Sequence, residues 1–370
     1  MIDLAPTIPG AAPKQARATR FIRRLALLGA CGALAGCKMV IIDPSGDVAL
    51  QQRNLIFAAT ALMLLVIVPV IIATFVFARR YRASNPEAAY EPDWAHSTQL
   101  EVVIWTVPLL IIMAIGAMTW IGTHTLDPYR PLSRLGPNRP IPAGVQPLEV
   151  QAVALDWKWL FIYPELGVAT VNELAAPVDR PITFRITSSS VWNTLSIPAI
   201  AGMIYAMPGM QTQLNAVANR EGEFRGLSGH YSGSGFSRMN FAFRSLSAHG
   251  FDDWVQKAKA SQDTLDRNAY LELDKPSEGN PVRYYGTVEK GLFDAILGMC
   301  VRPGQMCIGE MHHLDRRGGN AADSEANRKR LQYDNRRLPS GSQQSESTSD
   351  GAGGKLAPAQ SPTSPAGHRH

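Results

Sequence analysis

The sequence predicts a membrane-anchored α+β protein, with a two-helix transmembrane hairpin, an extracytoplasmic β barrel, C-terminal amphipathic helices and a disordered tail. Two uncharged apolar stretches, residues 55–78 and 102–121, predict the hairpin, because a helix needs about 20 apolar residues to cross a bilayer. From residue 148, short apolar and aromatic runs broken by glycine and proline predict the β domain. The polar composition of residues 318–370 predicts the tail.

The first 36 residues have the layout of a bacterial lipoprotein signal peptide. Four arginines between residues 17 and 24 precede an apolar stretch of about 12 residues, which is too short to span a bilayer. The stretch ends in Leu34-Ala35-Gly36-Cys37, which looks like a lipobox. Cys37 is therefore the predicted lipidation site, for a palmitate-type acyl anchor, and the predicted mature N-terminus. The alternative is an ordinary cysteine in an apolar stretch, and Cys31 is a poorer lipobox candidate.

The loop between the two apolar stretches sets the predicted orientation. Arg79, Arg80 and Arg82 directly follow the first stretch, and loops rich in Arg and Lys stay in the cytoplasm. Everything after the second stretch then lies outside. The predicted organisation is signal peptide 1–36, hairpin 37–124, linker 125–147, β domain 148–250, helical extension 251–317 and tail 318–370.

Two segments of the predicted extension have apolar residues at helical spacing, which indicates amphipathic helices. The first face comprises Phe251, Trp254, Val255 and Ala258, and the second comprises Leu292, Phe293, Ile296 and Leu297. For the β domain, the pattern predicts an antiparallel sandwich or barrel of about 100 residues.

The charge distribution argues against a nucleic-acid-binding protein. The chain has 370 residues, of which 36 are basic and 31 acidic, for a formal net charge of +5. Residues 1–36 carry net +4 and residues 318–370 carry net +2, whereas residues 123–317 are neutral. The basic pI of about 9.0 therefore reflects the two ends of the chain and indicates no basic docking surface.

Three sequence runs resemble subunit II of the haem-copper respiratory oxidases. They are LEVVIWTVP at residues 100–108, YAMPGM at 205–210 and GLSGHYSGSGFS at 226–237. With the lipobox and the hairpin, they follow the order found in that family, and the resemblance covers about residues 37–300. It implies that the β domain is a cupredoxin-like barrel.

Copper-bearing members of that family hold a dinuclear copper centre in this domain, on two cysteines, two histidines, a methionine and a backbone carbonyl. The resemblance places the cysteine positions at Ser228 and Ser232 and the histidine positions at Asn193 and Phe236. The carbonyl position falls at His230 and the methionine position at Met239. Copper prefers thiolates and imidazoles, and only Met239 keeps its residue type. We therefore expect no copper, no other metal and no cofactor in this subunit.

The replaced ligands imply the copper-less branch, the cytochrome bo-type ubiquinol oxidases, in which quinol passes electrons directly to haems in subunit I. The chain is then expected to be a structural subunit II, without catalytic residues, in a complex that oxidises ubiquinol, reduces oxygen to water and pumps protons. Its expected location is the bacterial inner membrane. Its expected partners are a subunit I holding the haems and copper, other small membrane subunits and the lipid bilayer.

Two alternatives remain open at this point, a copper-bearing cytochrome c oxidase subunit II and a stand-alone lipoprotein that scaffolds the envelope. The first requires the two missing cysteines. The second predicts that no haem-bearing subunit accompanies the chain.

Two further sites are expected outside the copper positions. Glu101 lies at the cytoplasmic start of the second apolar stretch, and the resemblance implies that it lies near the mouth of the K proton pathway of subunit I. The alternative is an interfacial charge that only fixes the depth of the helix. Cys300 and Cys307 face an oxidising compartment and are a possible disulfide.

Overall fold

A computed structural model of the chain describes residues 40–89, 91 and 93–316. The predicted signal peptide, the predicted lipidation site Cys37 and the predicted tail, residues 318–370, lie outside the described residues.

Two long helices form the hairpin, α1 (Asp47–Arg80) and α2 (Thr98–Thr125). Both are long and apolar enough to cross a membrane, and their most apolar segments are not buried within the protein. Both helices are longer than the predicted spans, because polar residues at their ends continue the helix beyond the segment that crosses the hydrocarbon core of a bilayer. At the start of α1, Asp47, Val48 and Ala49 are buried.

The segment between the hairpin and the β domain contains a small two-stranded sheet. Strands β1 (Arg134–Gly136) and β2 (Arg139–Pro140) pair antiparallel inside the predicted linker. Nε of Arg134 lies 2.9 Å from Oδ2 of Asp47, so this segment is attached to the first turn of α1. Leu135 is buried, which also attaches it to the folded body.

The β domain consists of two sheets with the core between them. The strands are β3 (Leu148–Leu155), β4 (Lys158–Tyr163), β5 (Val168–Val171), β6 (Glu173–Pro177), β7 (Pro181–Ser188), β8 (Asn193–Ser196), β9 (Met203–Ala206), β10 (Thr212–Val217), β11 (Gly222–Ser228), β12 (Asn240–Leu246) and β14 (Arg283–Tyr285). The six-stranded sheet has the order β10-β7-β3-β4-β5-β14, and the five-stranded sheet has the order β6-β12-β11-β8-β9.

Within these two sheets most strand pairs are antiparallel, as predicted, but two are parallel. These are β3 with β7 and β6 with β12. In both pairs the chain leaves the sheet and returns before the partner strand forms, which a parallel pair requires. The side chains of Trp159, Phe161, Phe184 and Phe243 fill the space between the sheets and are fully buried.

The C-terminal extension packs onto this barrel. Helix α3 (Ala248–Lys259) buries the predicted face of Phe251, Trp254, Val255 and Ala258. Three helices follow, α4 (Arg267–Leu273), α5 (Leu292–Leu297) and α6 (Ile308–Arg316), and the short strands β13 (Thr264–Leu265) and β15 (Thr287–Val288) pair with each other. The extension also supplies β14, which pairs with β5 and which the helical pattern did not predict.

Candidate functional site

The structure brings together the positions that the resemblance assigns to copper ligands. Asn193 begins β8 and Ser228 ends β11, and Oγ of Ser228 donates a hydrogen bond to Oδ1 of Asn193 across 2.9 Å. The same hydroxyl lies 3.4 Å from the carbonyl oxygen of His230. Oγ of Ser232 lies 4.0 Å from Sδ of Met239. Ser228 therefore contacts both Asn193 and His230, and Ser232 lies beside Met239.

The chemistry of this cluster does not fit a dinuclear copper centre. Its donors are two hydroxyls, an amide and a thioether, whereas copper needs ionised thiolates or neutral imidazoles. Phe236 presents a ring that contacts Tyr231 at 5.7 Å between centroids. The imidazole of His230 packs edge-on against Tyr205. Among residues 40–89, 91 and 93–316, no group of three or more His, Cys, Asp or Glu side chains could hold a metal ion.

Trp157 holds the loop in place beside the cluster. Its Nε1 donates a hydrogen bond of 2.9 Å to the carbonyl oxygen of Ser232. Gly233 has a φ of +114°, and a Cβ there would lie 2.9 Å from the indole. A Cβ on Gly235 would overlap the same ring. The glycines of this run therefore allow the loop backbone to lie directly on Trp157.

A buried carboxylate, missed by the sequence analysis, joins the extension to the barrel. Oε1 of Glu173 accepts hydrogen bonds from Nε1 of Trp254 at 2.8 Å and from the hydroxyl of Tyr284 at 2.5 Å. Its Oε2 lies 3.1 Å from Nε of Arg244. Burial, followed by the hydrogen bond to Glu173, raises the pKa of Tyr284 above its usual value.

A second missed contact is the buried amine of Lys158. Its Nζ donates to the carbonyl oxygens of Asp156 at 3.0 Å and Lys275 at 2.8 Å, and to Oγ of Ser277 at 2.7 Å. Burial lowers the pKa of Lys158 to about 8. The amine attaches the loop before β14 to the first residue of β4.

Glu101 lies far from these contacts, in the first turn of α2 and thus at the other end of the hairpin. Ser97 caps this helix by accepting a hydrogen bond from the backbone of Leu100. Oε2 of Glu101 lies 3.4 Å from Nε2 of His96, and both side chains are exposed. A carboxylate and an imidazole therefore lie side by side at this end of the hairpin.

The last predicted site is the pair of cysteines in the C-terminal extension. Cys300 and Cys307 are joined by a disulfide, with their Cα atoms 4.8 Å apart. This bond closes the turn between α5 and α6, since the two cysteines are seven positions apart.

Comparison with known proteins gives two family matches and a series of relatives. The family described as the periplasmic domain of cytochrome c oxidase subunit II matches residues 165–246, and the COX aromatic rich motif matches residues 259–304. The chain is 50% identical over 264 residues to cytochrome bo(3) ubiquinol oxidase subunit 2 of Pseudomonas putida, which covers 71% of this chain and 81% of the relative.

Two further relatives are more distant. The chain is 47% identical over 281 residues to ubiquinol oxidase subunit 2 of Acetobacter aceti, covering 75% of this chain and 89% of that protein. It is 34% identical over 246 residues to quinol oxidase subunit 2 of Bacillus cereus, covering 66% and 81% respectively.

Proposed function

Since the chain belongs to the family of ubiquinol oxidase subunit 2, we propose that it is the redox-inactive subunit II of a respiratory complex. The complex oxidises ubiquinol, reduces oxygen to water and pumps protons across the membrane. In this complex the chain holds and caps the catalytic subunit, and it carries no catalytic residue itself.

The observation that carries the redox-inactive role is the hydrogen bond between Ser228 and Asn193. It occupies the place where copper-bearing members of the oxidase family have a cysteine and a histidine. Since hydroxyl and amide groups are poor copper ligands, the cluster offers no electron relay for cytochrome c. Electrons then reach the haems from quinol without passing through this chain. Neither alternative, the copper-bearing subunit nor the stand-alone scaffold, gains support from the relatives.

We place the chain in the bacterial inner membrane, with its β domain on the periplasmic side. Arg79 and Arg80 end α1 and Arg82 follows, so the loop between the helices faces the cytoplasm. Removal of the signal peptide and lipidation of Cys37 complete the proposed anchoring, because an N-terminus outside and two spans leave the β domain outside as well.

The proposed contact with the haem-bearing subunit I uses the hairpin and a surface patch of exposed large side chains around the former copper loop. Tyr205 lies at the centre of this patch, with ring contacts to Trp192 at 6.1 Å and to His230 at 5.9 Å. The exposed members of the patch are Trp192, Met203, Tyr205, Met210 and Tyr231.

The patch lies next to the membrane. Met203 lines a cavity of about 280 Å³ together with Gln52 of α1 and Leu126, which follows α2. Exposed aromatic and methionine side chains are typical of protein interfaces, and a patch beside two membrane helices is well placed to contact a membrane partner.

For Glu101 we propose the role of collecting protons at the cytoplasmic entrance of a proton pathway in subunit I. Its exposure, its position at the cytoplasmic end of α2 and the neighbouring imidazole of His96 support this role. Ionisable groups at such positions commonly deliver protons to a membrane pathway.

Copurification tests the proposed function. The chain is tagged at its C-terminus, extracted in mild detergent and isolated in one step. We expect a large haem-bearing subunit in the same fraction, and oxygen uptake on addition of a soluble ubiquinol. A fraction that contains this chain alone, or that consumes no oxygen with quinol, would contradict the proposal.

A further inference from the structure

Three consecutive apolar side chains lie exposed just before helix α1. Val40, Ile41 and Ile42 are 48%, 50% and 48% exposed and form a turn. The next residues are attached to the β domain. The backbone N–H of Ser45 donates to Ala199, and Asn219 donates to the carbonyl oxygen of Ser45, each across 2.6 Å. The three side chains are therefore held in a defined place and yet are uncovered.

The position of this apolar turn relative to the membrane surface follows from its contact with Arg53. Nη1 of Arg53 donates a hydrogen bond of 3.1 Å to the carbonyl oxygen of Ile42. Arg53 is the last charged residue before the uncharged stretch that begins at Leu55, and its guanidinium lies 5.9 Å from the ring centroid of Phe57. An arginine at the end of a membrane span keeps its guanidinium at the level of the headgroups. The carbonyl of Ile42 lies at the same level.

We propose that Val40, Ile41 and Ile42 form an interfacial anchor that inserts into the outer leaflet beside α1. The anchor adjoins the start of the span, since the carbonyl oxygen of Ile42 is hydrogen-bonded to Arg53, two residues before Leu55. Apolar side chains at this depth leave water for the boundary between headgroups and acyl chains. The occupant of this surface is therefore the bilayer.

The anchor goes beyond the proposed function and requires only that the hairpin spans the membrane. It does not depend on an acyl chain at Cys37, which precedes Val40 by three positions in the sequence. Its effect is to fix the height of the β domain above the membrane, because Asp43 and Ser45 connect the anchor directly to Arg220.

Spin labels at single cysteines test the anchor in the whole complex, reconstituted in nanodiscs of phosphatidylethanolamine and phosphatidylglycerol. Two variants, Ile41→Cys and Ile42→Cys, are prepared separately, and each carries one spin label at the new cysteine. Accessibility to oxygen, which concentrates in lipid, is compared with accessibility to a water-soluble nickel chelate. The unsubstituted chain, labelled in parallel, gives the background from Cys37.

Val282→Cys is the matched control. Val282 is 41% exposed and precedes β14, the edge strand farthest from β10 in the six-stranded sheet. At about 4.8 Å between neighbouring strands, the two edges are about 24 Å apart, and β10 is the strand against which the segment before α1 packs.

We expect the ratio of oxygen to nickel accessibility to be severalfold higher at residues 41 and 42 than at residue 282. Equal ratios at all three positions would place the turn in water and overturn the proposal. A label shielded from both reagents would place a protein neighbour over the turn, which would overturn it as well. Quinol oxidase activity of the same samples reports on the proposed function separately.

Discussion

Ser228 and Asn193, 35 positions apart in the chain, meet inside the barrel through a hydrogen bond of 2.9 Å from Oγ to Oδ1. The resemblance assigns both positions to copper ligands of the copper-bearing members of the family. The contact is made between a hydroxyl and an amide, which are neutral groups and poor ligands for copper.

Ser228→Ala should lower stability without slowing the oxidase. The change leaves the buried amide of Asn193 without this donor, which costs about 1–2 kcal/mol. Thermal unfolding and ubiquinol turnover of the purified complex measure the two effects. Ser232→Ala is the control, because the hydroxyl of Ser232 makes only a long contact with sulfur, and its cost should stay within about 0.5 kcal/mol. A large loss of turnover in Ser228→Ala would contradict the account.

Glu173→Ala should loosen the extension from the barrel. The change leaves Arg244 without one of its two carboxylate partners and leaves Trp254 and Tyr284 without their shared acceptor. Each hydrogen bond to a charged group contributes about 1.5–3 kcal/mol. We expect a lower unfolding temperature and faster proteolysis after residue 246. Glu223→Ala removes the exposed partner of the same arginine, at 3.6 Å, and should cost less than about 0.5 kcal/mol. Equal losses in both variants would refute the role of Glu173.

Lys158 should make stability depend on pH in the alkaline range. Burial lowers the pKa of Lys158 to about 8 in the folded chain, whereas the unfolded value is about 10.4. Between these values the unfolded chain binds the additional proton, so the contribution of this group to the free energy of unfolding rises with pH.

Lys158→Met removes the contribution of that proton. The free energy of unfolding is measured for the complex with Lys158 and for the complex with Lys158→Met, between about pH 8 and pH 9.5. The difference between the two values should change with pH, in favour of the complex with Lys158 as the pH rises. The other titrating groups contribute equally to the free energy of unfolding in both complexes, so their contributions cancel in this comparison. A difference that stays constant across the range would show that Lys158 titrates normally.

Glu101→Ala should slow ubiquinol oxidation severalfold while leaving assembly intact, because the variant lacks the carboxylate that we propose collects protons. Turnover per haem measures the rate, and haem content per chain measures assembly. Glu87→Ala removes an exposed carboxylate from the loop between α1 and α2 and should leave turnover unchanged. Unchanged turnover in Glu101→Ala would leave this residue with an interfacial role only.

Tyr205→Glu should weaken the contact with the haem-bearing subunit. The change places a charge at the centre of the exposed patch, and burying an unpaired charge at an interface is costly. The yield of haem-bearing subunit that copurifies with the chain measures the effect. Val282→Glu, at a side chain of similar exposure next to β14, an edge strand of the other sheet, is the control. Equal yields in both variants would exclude the patch from the interface.

Local patterns in the sequence predicted the features that depend on neighbouring residues. The hairpin follows from two uncharged stretches, and the buried face of α3 follows from the spacing of Phe251, Trp254, Val255 and Ala258. These features were confirmed, since burial along one helix repeats with a fixed period that the sequence displays.

Contacts between distant parts of the chain were not predicted. Glu173 is 81 positions from Trp254 and 111 from Tyr284, and Arg134 is 87 positions from Asp47. No local period marks such pairs, so the segment 125–147 was expected to be a plain linker and β14 was not foreseen. At the candidate site the resemblance supplied the positions, and the structure supplied the hydrogen bonds that now join them.

The most direct test of the central claim, that this subunit carries no redox centre, is oxygen uptake by the purified complex with each electron donor alone. The chain is then separated from its partners, and the number of copper ions that each chain holds is measured. We expect turnover with ubiquinol, no turnover with reduced cytochrome c, and no copper in the separated chain. Two copper ions per chain, or turnover with cytochrome c that Ser228→Ala abolishes, would contradict the account.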